Sequence, residues 1–345
     1  MGGVSSQRVT KNPASVGTIN RFHLQYDAYS FDALETTGQT FVSDPEYDKG
    51  NLVQGELTFV WPGFFLFNLS IGLSLDAHQE EYKSNNIDLI EGRQRSAVEK
   101  FTKVNRGLWV STPFDFFTAG LRFNQRTIYI DKDVHYSGTF ADDVDTNING
   151  IASVSTLDVG VIIPGLWDIF DLGIMYVPPT KGTIKFDYQK SGKSLDATQP
   201  FEEAGQTIVG IGVAVEYGES AYQYLFETGT TSKVDNNFLG ESGEAGTIEG
   251  QLIRFAYPPF VDVSYGVRKE SLFSLSLQTE TISFQFPIAI GTIKLGQATI
   301  KLLDGSDTVA EVKIPKFSFN IQFGGPRSAL IVKPKTKKIH FIDRL

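Results

Sequence analysis

The residues able to do chemistry are few and scattered. The chain has four histidines, His23, His78, His135 and His340, and no cysteine. None of the histidines shows the His-x-x-x-His or His-x-His spacing that lets two imidazoles share one metal. Without cysteine, thiolate zinc sites, disulfide frameworks and cysteine nucleophiles are all excluded. A Gly-x-Ser-x-Gly elbow and a phosphate-binding loop are also missing from the sequence. One stretch carries the donors of a calcium loop. Asp145-Thr146-Asn147-Ile148-Asn149-Gly150 follows the pattern Asp-x-Asn-x-Asn-Gly, and Asp142 and Asp143 add hard oxygens. Thr156 stands where such a loop needs a bidentate Glu, so an acidic surface loop is the preferred reading. A calcium site at Asp143, Asp145, Asn147 and Asn149 is its competitor. Neither catalysis nor a cofactor is expected.

A second polar set is marked by position rather than spacing. His23, Asp27, His78, Arg106, Arg122, Asp158, Asp171 and Asp262 fall among small or polar residues that alternate with large apolar ones. Leu69, Ile71, Leu73, Leu75 and Ala77 hold one parity, while Ser70, Gly72, Ser74, Asp76 and His78 hold the other. Period two puts the apolar groups on one face of a strand and the polar groups on the other. The pattern recurs at Phe22, Leu24 and Tyr26; Phe117, Ala119, Leu121 and Phe123; Leu157, Val159 and Val161; Ile174 and Tyr176; Val209, Ile211 and Val213; Val261, Val263 and Tyr265; and Phe317, Phe319 and Ile321. No segment shows a period of 3.6 with caps, so the chain reads as all-β and antiparallel.

The connections separate a membrane barrel from a soluble sandwich. Pro- or Gly-containing turns are expected at Trp61-Pro62-Gly63, Ser111-Thr112-Pro113, Pro164-Gly165, Tyr217-Gly218-Glu219 and Pro258-Pro259. Between them lie long polar stretches at 35–50, 80–99, 131–149, 189–206 and 228–250, read as loops. Short turns at one end and long loops at the other are the asymmetry of outer-membrane barrels. Trp61, Phe64, Trp109, Phe114, Phe116, Trp167, Tyr257 and Phe260 lie near the turns, as an interfacial aromatic girdle requires. The strand and turn signals give about ten strands by Tyr257 and about 14 in all.

Composition agrees. The 345 residues are 41% apolar with a net charge of −9, which leaves no basic surplus for nucleic acid. No apolar run reaches the roughly 18 residues of a transmembrane helix, a test that a barrel does not have to pass. The chain starts without a basic segment and apolar stretch, as a form whose signal peptide had been removed would. Lys333, Lys335, Lys337 and Lys338 form the one basic run, read as a solvated strand end, with anionic head groups as the other possibility.

Residues 1–19 lack alternation, and 20–345 carry the barrel pattern. Met1-Gly2-Gly3, then Asn12-Pro13-Ala14, then an alternating strand resembles the start of FadL/TodX-type outer-membrane transporters of long-chain fatty acids and other hydrophobic compounds. Strand, Pro-turn, strand units such as Met175-Tyr176-Val177-Pro178-Pro179-Thr180 are similar too. The resemblance implies a transmembrane antiparallel β-barrel of 14 strands in the bacterial outer membrane, with 1–19 as a hatch in its lumen. Gly2, Gly3, Asn12, Pro13 and Ala14 would be the hatch residues. It also implies passive, hatch-gated diffusion of a hydrophobic small molecule, released through the wall or into the periplasm. The partners would be outer-membrane lipids, that ligand and proteins docking at the loops. The alternatives are a structural or secretion-complex barrel and a general diffusion porin. Outer-membrane barrels commonly end on an aromatic residue in the last strand, so either that strand ends near Phe341 or the chain is incomplete.

Overall fold

The computed structural model describes residues 12–19, 22–32, 49–64, 69–88, 93–137, 144–166, 170–190, 193–217, 219–235, 243–257, 261–272, 275–288, 291–305 and 307–323. A short 3-10 turn, Pro13–Thr18, precedes sixteen strands. These are β1 (Phe22–Asp32), β2 (Lys49–Phe64), β3 (Leu69–Asp88), β4 (Arg93–Pro113), β5 (Thr118–Ser137), β6 (Val144–Leu166), β7 (Phe170–Val177) and β8 (Thr180–Lys190). They continue as β9 (Lys193–Glu203), β10 (Gln206–Tyr217), β11 (Ser220–Thr231), β12 (Gly246–Tyr257), β13 (Val261–Leu272), β14 (Leu275–Ile288), β15 (Gly291–Asp304) and β16 (Asp307–Phe323).

All pairings are antiparallel, and β16 pairs with β1 from Phe22↔Phe323 to Tyr29↔Lys316, which closes the sheet. β7 runs into β8 through Pro178-Pro179, and β9 into β10 through Ala204-Gly205, so the sixteen segments form a ring of 14 strands. Ten of these are complete by Tyr257, as the sequence reading expects. The register advances about one residue per strand around the ring, which corresponds to a strand tilt of ~37°.

The two faces follow the alternation. Leu73, Leu75, Leu108, Val110, Leu121, Phe123, Leu157, Val159, Ile174, Tyr176, Ile211, Ile253, Phe284 and Phe317 are exposed on the outer face. So continuous an apolar surface is a liability in water and an asset in lipid. It spans about nine residues per strand, or ~23 Å of height at this tilt, close to the apolar band of an outer-membrane barrel. β3 to β6 are 20, 21, 20 and 23 residues long, about twice the roughly 9–11 needed to cross. Their upper halves stand clear of the hydrocarbon layer.

Several local expectations are corrected. Residues 80–88, 93–99, 131–137 and 144–149 are strands, and 193–203 form β9, where polar loops are expected. Strand segments outside the lipid need no apolar outer face, so their pairing leaves little period-two trace. The calcium-loop stretch is therefore strand: Asp145, Asn147 and Asn149 lie in β6, with Asn147↔Asp133 and Asn149↔Asp131 as cross-strand partners, while Asp143 lies outside the described residues. Trp61-Pro62-Gly63 and Pro164-Gly165 are bulges near strand ends, at register shifts where Gly63 and Gly165 take positive φ. Trp61, Phe114 and Phe116 are exposed, as a girdle requires, but Trp109 is fully buried on the inner face. β16, which closes the ring, is described to Phe323, and Phe341 lies outside the described residues.

Candidate functional site

The interior is built in tiers. At the bottom, residues 12–19 pack against the inner faces of β3, β4, β5 and β6. Asn12 caps the 3-10 turn, its side-chain oxygen accepting from the Ala14 N–H at 3.0 Å. Its amide nitrogen donates to the carbonyls of Ile174 at 3.3 Å and Val161 at 3.5 Å. Those two residues face each other across β6 and β7, so one side chain bridges both strands. The turn fits so closely because Gly120 and Gly160 leave room: a Cβ at either would collide with Pro13 or Asn12. Val16 and Ile19 complete an apolar contact with Val60 and Trp109.

Above this lies an ionic tier. Arg122 donates to Asp158 from Nε at 2.7 Å and stacks 4.7 Å from the centroid of Trp109, whose Nε1 donates to Ser74 at 2.9 Å. Arg126 Nε donates to Asn105 at 2.8 Å, and Asn105 donates to Asp76 at 2.9 Å. Arg126 also pairs with Glu203, which Lys103 approaches to 3.4 Å. Three cations, Lys103, Arg122 and Arg126, thus meet three carboxylates, Asp76, Asp158 and Glu203.

The third tier is apolar. Ile128, Ala152, Val154, Ile184 and Phe201 are buried together, with Phe101, Ile130 and Phe186 packed against them. These side chains come from the inner faces of β4, β5, β6, β8 and β9. Beside them the wall is interrupted. β6 pairs with β7 over residues 159–166 and with β8 over 146–151, and the ladder on that side skips 152–158. Pro178 and Pro179 have no N–H to give that ladder, so the break lies where the sequence removes the donors. The outer faces of β8 and β9 carry Lys181, Thr183, Lys185, Thr198 and Glu202, so this hairpin stands outside the hydrocarbon layer. There Glu202 accepts a hydrogen bond from Lys181, which lowers the carboxyl pKa and raises the ammonium pKa.

The opposite wall carries its own pairs. Arg254 grips Asp262 through two nitrogens, with Nε at 2.7 Å, and the hydroxyls of Ser264 and Ser283 meet at 2.7 Å. Arg268 pairs with Glu227 at 3.7 Å and with Glu270. Near the closing strands, His23 Nε2 lies 3.4 Å from Gln25 Oε1, and Gln25 donates to Asp27 at 2.5 Å.

Most of the polar set named from the sequence shares this inner face. His23, Asp27, His78, Arg122, Asp158 and Asp262 have the parity of buried inner residues, and Asp171 lies on the same face near the turn end, accepting from Gly165 N–H at 2.7 Å. Arg106 does not. It is exposed, with the parity of Leu108 and Val110 and facing Leu75 on β3, so it lies on the outer surface near the top of the apolar band, where a long basic side chain can reach the interface. Gly2 and Gly3 lie outside the described residues. Lys103, Asn105, Arg126 and Glu203 were missed. The signal for the first two was the outward parity of Leu108 and Val110, which already assigns Arg106 outward and Lys103 and Asn105 inward. Among the described residues, no group of three or more His, Asp or Glu side chains could hold a metal ion.

No family model and no curated relative matches the sequence. Solved structures do match. The chain is similar to the Ralstonia pickettii toluene transporter TbuX, with TM-score 0.63 and 11% identity over 94% of this chain and 96% of that one. It is similar to a Pseudomonas aeruginosa FadL homologue, with TM-score 0.61 and 9% identity over 93% and 94%. It is also similar to the P. putida toluene transporter TodX, with TM-score 0.55 and 11% identity over 94% and 99%. The fold of this chain is therefore that of the FadL/TodX-type transmembrane β-barrels.

Proposed function

We propose that the protein is a bacterial outer-membrane channel that carries hydrophobic small molecules by passive diffusion, with residues 1–19 as its hatch. A ligand enters from the outside onto the apolar tier formed around Phe201 and Ile184. The ionic tier below it is a poor path for a hydrocarbon, because crossing would break buried charge pairs. The interruption between β6 and the β7–β8 strand opens beside the apolar tier, and it offers a sideways exit toward lipid. The observation that carries this reading is the Asn12 bridge to Val161 and Ile174, set just below the last β6–β7 pair before the interruption, Val159↔Tyr176. Withdrawal of the hatch removes the bridge and lets the break lengthen downward into the hydrocarbon layer. The TbuX and TodX likenesses, to toluene transporters, support the same class of cargo.

The test is reconstitution of the full chain in liposomes, measuring entry of a fluorescent hydrophobic probe alongside ion current in planar bilayers. Faster probe entry than in empty liposomes, with little ion current, is the expected result. Large steady currents with no acceleration of the probe would mark a general porin and end this reading.

A further inference from the structure

β9 presents to its own lumen the two halves of a fatty-acid anion. Phe201 and Glu203 lie two residues apart on the same face of the strand, the ring in the apolar tier and the carboxylate in the ionic tier. Glu203 is held by two basic groups from the adjacent pair β4 and β5, Lys103 100 residues away in sequence and Arg126 on β5. A ligand with an alkyl or aryl body in the apolar tier would bring its polar end to this same place.

Resting on the transport reading above, we infer that the ligand is uncharged at its polar end, and that Glu203 sets this selectivity by occupying the position a ligand carboxylate would take. A carboxylate entering here must displace Glu203 from Lys103 and Arg126, or sit beside it as a second buried anion. Either course is unfavourable, because a displaced carboxylate is left buried without its counter-charge and two adjacent anions repel. Among the described residues, the other inner-face cations already have carboxylate partners or other interactions, although Arg268 keeps Nε and Nη1 without a hydrogen bond. Arg122 is taken by Asp158, Lys132 by Glu99 at 3.4 Å, Arg254 by Asp262 and Arg268 by Glu227 and Glu270. Lys294 and Lys316 are also engaged. A neutral molecule meets none of these costs, since it fills the apolar tier and leaves the pairs intact.

The test compares two probes that share one chain and differ only in head group, dodecanol and dodecanoate. Binding is measured to the full chain in lipid nanodiscs at a pH well above the carboxyl pKa, with empty nanodiscs subtracted. The wild type is expected to bind dodecanol more tightly than dodecanoate by about tenfold or more. E203Q frees Lys103 and Arg126 and is expected to tighten dodecanoate by about tenfold while leaving dodecanol little changed. E203D keeps the charge and should behave as wild type, and heat-modifiable gel mobility confirms that each variant is a folded barrel. Wild-type preference for dodecanoate, or a folded E203Q with an unchanged ratio, overturns the inference and leaves the transport reading standing. Failure of both probes to bind the wild type overturns both.

Discussion

The two sides of the barrel are held together differently. From β10 to β16 the ladder is continuous apart from one shift near Leu302, and the inner-face ion pairs lie over that unbroken ladder: Arg254–Asp262 joins the neighbours β12 and β13, and Arg268–Glu227 reaches across β12 from β13 to β11. From β4 to β9 the ladder breaks beside 152–158 of β6, and the pairs Lys103–Glu203 and Arg126–Glu203 reach from β4 and β5 to a strand that neither touches in the sheet. On the first side charge reinforces backbone pairing, and on the second it substitutes for it. A wall held by backbone bonds is fixed, whereas one held by side chains can be released piece by piece.

That difference is open to test. The largest effect is expected from R254A. It strips Asp262 of its buried partner in the continuous wall and should lower the stability of the whole barrel by about 3–5 kcal/mol, read as a lower unfolding midpoint in denaturant. E203A, by contrast, should leave the global midpoint almost unmoved and raise amide hydrogen exchange in residues 193–203. Equal global losses from the two variants would erase the distinction.

A middle effect is expected from N12A. N12A loses the side-chain hydrogen bonds of Asn12 to Val161, Ile174 and the Ala14 N–H, which should cost about 1–3 kcal/mol locally. The readout is faster exchange in residues 12–19 and 170–177 together with a raised basal rate of hydrophobic probe entry. A change confined to residues 12–19 would separate the hatch from the wall.

The smallest effect concerns the exposed Lys181–Glu202 pair on the β8–β9 hairpin. The Glu202 carboxyl is held below its ordinary value of 4.5 and the Lys181 ammonium above 10.5, each chiefly by their shared hydrogen bond. The pair therefore contributes fully above the unfolded carboxyl pKa and below the unfolded ammonium pKa. The contribution fades as pH falls through the folded Glu202 value or rises through the folded Lys181 value. Exchange in residues 193–203 should rise slightly in acid in the wild type and show no such step in E202Q.

The apolar band was legible because lipid requires strict alternation, so Leu73, Leu121 and Ile174 announce their face in the sequence. The ring size was legible for the same reason. The halves of β3 to β6 beyond the apolar band and the whole of β9 were not, because strands outside the lipid need no apolar outer face, and β9 sets the buried Phe201 among polar residues. Glu203 was hidden most deeply. Its ion pairs depend on the fold bringing the remote strand β9 to Lys103 and Arg126, a three-dimensional coincidence with no local period. Trp109 and Arg106 changed faces for a simpler reason: near the turns and the upper edge of the band, aromatic and basic residues are allowed on either side.

The claim that the hatch gates a route through the wall is tested most directly by tying it down. The chain has no cysteine, so V16C/G72C introduces one defined pair, at a place where Val16 Cγ2 lies 3.3 Å from the point a Cβ on Gly72 would occupy. Uptake of a hydrophobic probe into proteoliposomes is then measured before and after reduction, with each single-cysteine variant as control. The oxidised protein should admit the probe no faster than empty liposomes, and reductant should restore the wild-type rate. Wild-type uptake by a protein whose disulfide is verified as formed would contradict the account.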